Sequence, residues 1–182
     1  MTLNRLQIQV TVGVLTLNWR DCPDGVARVS RISWSEKAEQ ESGLIPLVPG
    51  SVVELAGRLA RYFETGSPVG ELPWDAIDQE LWSPFQRAVY TSIAEIPYGE
   101  TRTYGWVARK IGKYNATRAV GQALRKNPLP ILIPCHRVVS LDSLGGFMGC
   151  SDLEGPEMRL KTALISIEDS YRQPIFPLLA AV

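Results

Sequence analysis

Cys135 and His136 are the residues of this 182-residue chain whose types and spacing point most directly to chemistry. His136 is the only histidine, and it directly follows one of three cysteines. A thiol becomes a strong nucleophile when it ionises, and a neighbouring base promotes that ionisation at neutral pH. Adjacent residues of a strand point to opposite faces, so the pair can cooperate only if the backbone bends, and Pro134 favours a bend. Taken alone, the pair favours a buried structural cysteine beside a capping histidine over nucleophilic thiol chemistry, and the residues around it decide between the two.

The overall composition excludes several other kinds of site. The three cysteines, at positions 22, 135 and 150, form no CxxC pair, which favours reduced thiols over a disulfide framework. We therefore expect a cytoplasmic protein, or a nuclear one in a eukaryotic cell. A single histidine disfavours a conventional zinc site, so we predict no metal and no cofactor. No apolar stretch is long enough to cross a bilayer and the N-terminus lacks a signal-peptide pattern, so we expect no membrane partner.

The charges are unevenly distributed, although the formal net charge is zero. Residues 84–139 contain nine lysines and arginines against two glutamates, so the rest of the chain is correspondingly acidic. A basic segment in a neutral chain is typical of a module that meets a polyanion such as DNA. The alternative is a solvated helical surface, which the charge pattern alone does not exclude.

The first half of the chain predicts a small α/β unit. Leu6–Trp19 and Val26–Trp34 are rich in β-branched residues and predict two strands, joined by a turn at residues 22–25. Ser51 is expected to open an amphipathic helix with one buried face that reaches Phe63. We place a domain boundary at residue 80, which gives domains at 1–80 and 81–170 and a C-terminal tail at 171–182.

The second half predicts mainly short helices. Ser83 is a favoured N-cap, and Pro84 is a favoured first helical residue. Thr103 and Asn115 can cap two further helices, ending near residues 111 and 126, and such a pair with a glycine between them is typical of a helix-turn-helix. An apolar run at 131–139 predicts a strand. A final helix is expected from residue 156 to about 168.

The second helix of this pair is unusual for a protein that reads the major groove. Base-reading helices usually carry several long polar side chains on one face, whereas residues 116–123 are mostly small and surround Arg118. Small side chains allow close approach to the narrower minor groove and sequence-tolerant binding. Alternatively, the same small residues serve tight packing between helices.

Several motifs together resemble those of the 6-O-alkylguanine-DNA alkyltransferases, also called methylated-DNA–protein-cysteine methyltransferases. The resemblance spans roughly residues 83–168, and Tyr62-Phe63 adds a weaker likeness to the end of the family's N-terminal domain. The motifs are Phe85-Gln86, Ile96-Pro97-Tyr98-Gly99, Thr103-Tyr104, Arg118-Ala119-Val120-Gly121, Asn127-Pro128 and Ile133-Pro134-Cys135-His136-Arg137-Val138-Val139.

The resemblance implies an α/β (α+β) fold, in which a ribonuclease H-like N-terminal domain precedes a helix-turn-helix (winged-helix-like) alkyltransferase domain. It also implies a monomer that binds double-stranded DNA containing alkylated guanine through the minor groove and flips the damaged nucleotide into a pocket. The alkyl group then moves irreversibly from O6 of guanine to a cysteine. Such a methyltransferase is stoichiometric and self-inactivating, because its acceptor is consumed.

The resemblance assigns roles to individual residues. Cys135 is the alkyl acceptor, His136 acts as its base through a water, and Glu168 orients the histidine. Tyr104 assists nucleotide rotation and donates a proton toward guanine. Arg118 fills the gap left in the base stack. The remaining implied residues are Asn127, which holds the turn behind the cysteine; Thr103, Ala119, Gly121 and Arg137 at the DNA; and Pro130, Val138, Phe147, Met148 and Gly149 in the pocket.

These residue types suit that reaction on chemical grounds. A soft thiolate displaces guanine from an alkyl carbon better than an alcohol does. The base departs more easily as its negative charge is neutralised, which gives a hydroxyl donor a definite task. A carboxylate, a histidine and a thiol in series follow the logic of a catalytic triad. The product is a thioether, which such a relay does not hydrolyse.

The sequence departs from the family pattern after Gly145-Gly146. Met148 replaces a residue that is usually serine or alanine, Cys150 stands where a glycine is expected, and several extra residues follow. We expect a reshaped pocket, and we expect Cys150 to be incidental rather than a second reactive thiol.

Two other functions stay open at this point. One is a sensor that binds the lesion without transfer, although family members of that kind lack the acceptor cysteine. The other is a turning-over cysteine hydrolase, for which the sequence offers no oxyanion-hole motif.

Overall fold

The N-terminal half consists of a three-stranded antiparallel sheet with one helix packed on it. In the computed structural model, which describes residues 4–38, 47–150, 152 and 154–172, strands β1 (Asn4–Val10), β2 (Gly13–Asp21) and β3 (Ala27–Ser35) form a meander. Helix α1 (Gly50–Thr65) packs its buried face against this sheet and ends at Gly66.

The segment predicted as the first strand forms two strands of a β-hairpin. Because β1 and β2 pair from Asn4↔Trp19 to Val10↔Gly13, the prediction of one strand over Leu6–Trp19 was wrong. The reversal at residues 11–12 uses a threonine and a valine, which carry no turn signature. Gly13 supplies the conformational freedom, with φ of 139° and a position where a Cβ would lie 2.4 Å from the Ser35 carbonyl oxygen.

The part of the C-terminal half that the structure describes contains four α-helices and a parallel pair of two-residue strands. Helices α2 (Pro84–Ala94), α3 (Tyr104–Lys110) and α4 (Thr117–Arg125) pack on one another, and α5 (Pro156–Arg172) contacts the segment that carries Cys135. Strands β4 (Arg102–Thr103) and β5 (Val138–Val139) pair in parallel.

Two of the predicted helix starts carry the expected side-chain caps, and others do not. Ser83 forms a capping box, in which its Oγ accepts a hydrogen bond from Gln86 N at 3.2 Å and its own N–H donates to Gln86 Oε1 at 3.0 Å. Thr103 also caps its helix, as predicted. The prediction that Asn115 caps α4 was wrong, because α4 begins after Ala116 without a side-chain capping bond. Helix α1 begins at Gly50, one residue before the predicted Ser51.

The predicted strand at 131–139 is mostly a buried loop. Only Val138–Val139 is a strand, and residues 135–137 form a 3-10 turn. Ile131 has φ of 76°, which a β-branched residue rarely adopts and which a strand does not contain. The apolar residues reflect burial of the loop, and the prolines at 128, 130 and 134 remove amides that a sheet would need.

A single apolar core continues across the two halves. Ile32 N in β3 donates to Pro128 O at 2.7 Å, and Asp78 N donates to Val29 O at 3.0 Å. The mixed α/β class is confirmed. The ribonuclease H-like and helix-turn-helix assignments and the boundary at residue 80 stay predictions. Of the predicted tail, only residues 171–172 are described, and they continue α5. None of the described helices is long and apolar enough to span a membrane.

Two serines near helix starts, Ser83 and Ser51, give a matched test of this fold. We expect Ser83→Ala to lower the free energy of unfolding by about 1 kcal/mol, because it removes the side-chain half of the capping box. Ser51→Ala replaces an exposed serine with no capping bond and should change it by less than about 0.5 kcal/mol. Urea denaturation of both variants measures the difference, and equal effects would contradict the assigned helix starts.

Candidate active site

The turn at residues 135–137 bends the chain so that Cys135 and His136 face the interior together. Cys135 follows Pro134 and is 5% exposed. Asn127 lies beside it, where its Nδ2 donates to Cys135 Sγ at 3.1 Å and to Ile133 O at 2.8 Å, while its Oδ1 accepts from Leu129 N at 3.0 Å. The predicted role of Asn127 in holding this turn therefore has a direct geometric basis.

Glu168 in α5 binds the only histidine of the chain. His136 Nε2 lies 2.7 Å from Glu168 Oε1, and both side chains are buried. Glu168 also accepts hydrogen bonds from Arg137 Nε at 2.8 Å, Arg137 Nη2 at 3.0 Å, Tyr62 Oη at 3.0 Å and Gly99 N at 3.1 Å. Burial favours the neutral acid, but the bonds from His136 and Arg137 outweigh it and lower the pKa of Glu168 to about 2. The carboxylate is therefore ionised.

His136 is held as the neutral imidazole. Burial lowers the pKa of His136 below its ordinary 6.5, although Glu168 opposes that shift. The carboxylate can only accept, so Nε2 carries the ring proton and Nδ1 is left as an acceptor. Nδ1 is buried and has no hydrogen-bond partner among the described residues. The ring therefore presents an unused basic nitrogen in the interior.

Lys161 is a buried cation that the sequence analysis did not identify as functional. Its Nζ donates to Val138 O at 2.8 Å, to Gly146 O at 3.1 Å and to Leu144 O. Burial lowers the pKa of Lys161 to about 8, against an opposing effect of Cys135. Lys161 lies two turns before Glu168 on α5, so a helical projection could have placed both on one face.

The Cys135 thiol is protonated at rest. Burial raises the pKa of Cys135, and this effect exceeds the opposing hydrogen bond from Asn127 and the charge of Lys161. A base or a further charge is therefore required before the sulfur becomes a thiolate.

A cavity of about 190 Å³ opens onto Cys135. Tyr104 lies on one side, and its hydroxyl donates to Gly146 O at 3.3 Å. Burial raises the pKa of Tyr104, with Cys135 adding to the shift, so the phenol is protonated at neutral pH. The other lining residues are Gly121, Leu124 and Arg125 from α4 and Gly146, Phe147, Met148, Gly149 and Cys150 from the segment before α5.

The cavity includes some of the residues predicted for the pocket and not others. Phe147, Met148 and Gly149 line the cavity, whereas Pro130 and Val138 do not. Pro130 is buried in a bridge to Ile133, and Val138 is buried in β5 with its carbonyl bound to Lys161. Leu124, Arg125 and Cys150 were not predicted. The first two lie three and four positions after Gly121, on the same helical face, and that spacing was the available signal.

The residues predicted to contact DNA fall into two groups. Arg118 and Ala119 are exposed near the start of α4, Gly121 lies at the cavity, and Thr103 caps α3. Arg137 was predicted with them but lies in the interior. Its guanidinium binds Glu168 and Ile96 O and stacks on the Tyr98 ring at 5.3 Å, which leaves it 13% exposed. Its position is that of a structural partner of Glu168.

Comparisons with known proteins agree with this arrangement. A family profile described as 6-O-methylguanine DNA methyltransferase, DNA binding domain, matches residues 84–170. A methylated-DNA–protein-cysteine methyltransferase of Archaeoglobus fulgidus is 38% identical over 124 residues, which cover 68% of this chain and 79% of that protein. One from Mycolicibacterium paratuberculosis is 37% identical over 150 residues, covering 78% and 81%.

Solved structures extend the likeness over nearly the whole chain. A variant of the Mycobacterium tuberculosis O6-methylguanine methyltransferase superposes with a TM-score of 0.71 at 30% identity, covering 95% of this chain and 96% of that one. Mycobacterium tuberculosis OGT in complex with DNA superposes with a TM-score of 0.66 at 31% identity, covering 90% and 91%. The protein with this buried Cys135 and its histidine–glutamate pair therefore belongs to the methylated-DNA–protein-cysteine methyltransferase family.

Proposed function

We propose that this protein repairs DNA by transferring an alkyl group from O6 of guanine to Sγ of Cys135. The observation that carries the proposal is the position of Cys135 at the cavity, next to a buried pair of neutral His136 and ionised Glu168. In the transfer the bond between O6 and the alkyl carbon breaks and a bond between that carbon and sulfur forms. The thioether is not hydrolysed, so each molecule acts once.

The thiol proton leaves through His136 in this proposal. Because burial raises the pKa of Cys135, the thiol needs a base, and Nδ1 of His136 is the nitrogen that can accept, through a bridging water. Glu168 then stabilises the imidazolium, as the carboxylate of a catalytic triad does. The charge of Lys161 lowers the pKa of the sulfur and so favours the thiolate.

Tyr104 assists the departure of guanine. The base leaves with negative charge that a proton donor neutralises, and the protonated phenol of Tyr104 stands at the cavity next to Gly146 and Phe147. The phenolate regains a proton from solvent as His136 releases its own, so that overall the thiol proton is transferred to guanine. The segment at 146–150 covers the alkyl group. Met148 and Cys150 occupy this wall, so the range of alkyl groups that fit depends on them.

Helix α4 brings the cavity to DNA. Its exposed residues Arg118 and Ala119 lie next to the cavity-lining Gly121, so an extruded nucleotide would pass from the α4 surface to Cys135. The small residues suit the minor groove, and Arg118 takes the place of the extruded base, which offsets a flipping cost of a few kcal/mol. The proposal includes a monomeric protein. It also includes a cytoplasmic location, or a nuclear one in a eukaryotic cell, and the three free cysteines support this location.

The identity of the acceptor can be tested with the two thiols that reach the cavity. After incubation with duplex oligonucleotide carrying labelled O6-methylguanine, we expect the parent and Cys150→Ser each to gain one methyl group per molecule. Cys135→Ser should gain none, because a serine hydroxyl is a far weaker nucleophile than a thiolate at neutral pH. Mass spectrometry of the protein and of its peptides measures the transfer.

The outcomes also separate the rival functions. Tight binding of the methylated duplex without label on any variant would indicate a sensor. If the protein neither binds the methylated duplex nor gains label, the next assay is hydrolysis of ester and peptide substrates. Label on Cys135→Ser equal to that on the parent would refute the assigned acceptor.

The pH dependence of transfer follows from the state of His136. The neutral imidazole is the active base, and burial lowers its pKa, so the single-turnover rate should stay level from pH 7 to 6.5, where Lys161 keeps its charge, and decline only below 6.5. Glu168→Gln removes the charge that stabilises the imidazolium and should reduce the rate by at least about 100-fold. Quenched-flow measurement of methyl transfer gives both values, and an acid midpoint above 6.5 would contradict the scheme.

A further inference from the structure

A tyrosine of the N-terminal half reaches the reactive centre. Tyr62 lies in α1, more than a hundred residues before Glu168 in sequence, and its hydroxyl donates to Glu168 Oε1 at 3.0 Å. This is the oxygen that also binds His136 Nε2. Tyr62 and His136 therefore share Oε1, which also accepts from Arg137 Nη2, while Oε2 accepts from Arg137 Nε and Gly99 N.

Packing alone does not explain the hydroxyl of Tyr62. The side chain is 1% exposed, and its ring meets Phe63 and Tyr98 edge to face, with centroids 5.2 and 6.1 Å away. A phenylalanine would make the same ring contacts without placing a polar group in the core. Burying a hydroxyl is unfavourable unless it is hydrogen-bonded, and its partners here are Glu168 and, at 3.4 Å, Leu164 O.

We infer that Tyr62 is a positioning residue for the alkyl transfer, which acts with Arg137 to hold the Glu168 carboxylate and thereby the orientation of His136. The inference rests on the proposed function of His136 as the base for Cys135. The terminal torsion of a glutamate is soft, so its orientation depends on the donors around it. Arg137 and Gly99 N hold Glu168 from the C-terminal half, and Tyr62 is the donor from α1 to the oxygen that binds His136. Its bond therefore adds to the constraint that keeps the imidazole aligned.

Tyr62 also limits how strongly Glu168 attracts a proton on His136. Each donor to the carboxylate withdraws part of its negative charge, so removal of one donor leaves more charge facing the ring. The other groups around His136 and Glu168 are unchanged by such a removal. They are Arg137, Lys161, Cys135 and Tyr98.

The experiment compares two buried or half-buried tyrosines of the same ring cluster. Tyr62→Phe removes the donor to Glu168, whereas Tyr98→Phe removes a hydroxyl that donates to Gly66 O. Because His136 is the only histidine, its ring proton resonances can be titrated by NMR without ambiguity. We expect Tyr62→Phe to raise the pKa of His136 by roughly one unit and Tyr98→Phe to leave it unchanged.

The transfer rate gives a second readout. In Tyr62→Phe, the acid limb of the rate profile should move to higher pH with the titration of His136, and the plateau rate should fall by about tenfold because the base is less well oriented. Urea denaturation of both variants controls for stability. The contrary result is a Tyr62→Phe variant that loses stability while the pKa of His136 and the rate profile stay equal to those of the parent. That result would show that Tyr62 serves packing only, and it would overturn the inference.

The two proposals fail in different ways. If the parent protein transfers no methyl group to Cys135, the proposed function is wrong, whatever the titration of His136 shows. If the parent transfers normally and Tyr62→Phe matches it in both pH readouts, only the role of Tyr62 is wrong.

Discussion

The ionised carboxylate of Glu168 is the interaction on which the rest of the site depends. A buried charge is costly unless it is paired and hydrogen-bonded, and Glu168 is satisfied from three separate parts of the chain. α1 supplies Tyr62, the loop after α2 supplies Gly99 N, and the turn at 135–137 supplies His136 and Arg137. The carboxylate thus joins the N-terminal half to the reactive turn, and it keeps His136 in the tautomer that leaves Nδ1 free to accept.

The backbone around Cys135 is arranged by side chains that act on carbonyl groups. Asn127 binds Ile133 O and the sulfur, and Lys161 binds carbonyls of β5 and of the cavity wall. β3 also binds this loop, through the hydrogen bond from Ile32 N to Pro128 O. An irregular buried loop has backbone groups that no sheet or helix satisfies, and these contacts supply their partners. The loop can therefore be buried without becoming a strand, which is what allows Cys135 and His136 to lie in a turn.

Much of this arrangement could be predicted, and the failures have physical causes. Residue type and spacing predicted the cap at Ser83, and the motifs around Cys135 and His136 singled out that pair, because both depend on local sequence. The hairpin at residues 11–12 was missed because a glycine after two ordinary residues makes the turn. The run at 131–139 was misread because burial gives a loop and a strand the same apolar composition. The roles of Lys161 and Arg137 depend on which carbonyl or carboxylate lies opposite, and only the tertiary structure determines that.

The part of the cavity wall formed by residues 146–150 contains none of the residues that move a proton in the proposed reaction. Its backbone is fastened at Leu144 O and Gly146 O by Lys161, and the amide and carbonyl of Phe147 bind those of Cys150. Met148, which has φ of 49°, is the second residue of this turn and lines the cavity. In the proposed reaction, replacing its side chain would change the space at the sulfur and leave the hydrogen bonds of Glu168 with His136 and Tyr62 in place. The range of adducts that fit would then change while the groups that move the proton stay the same.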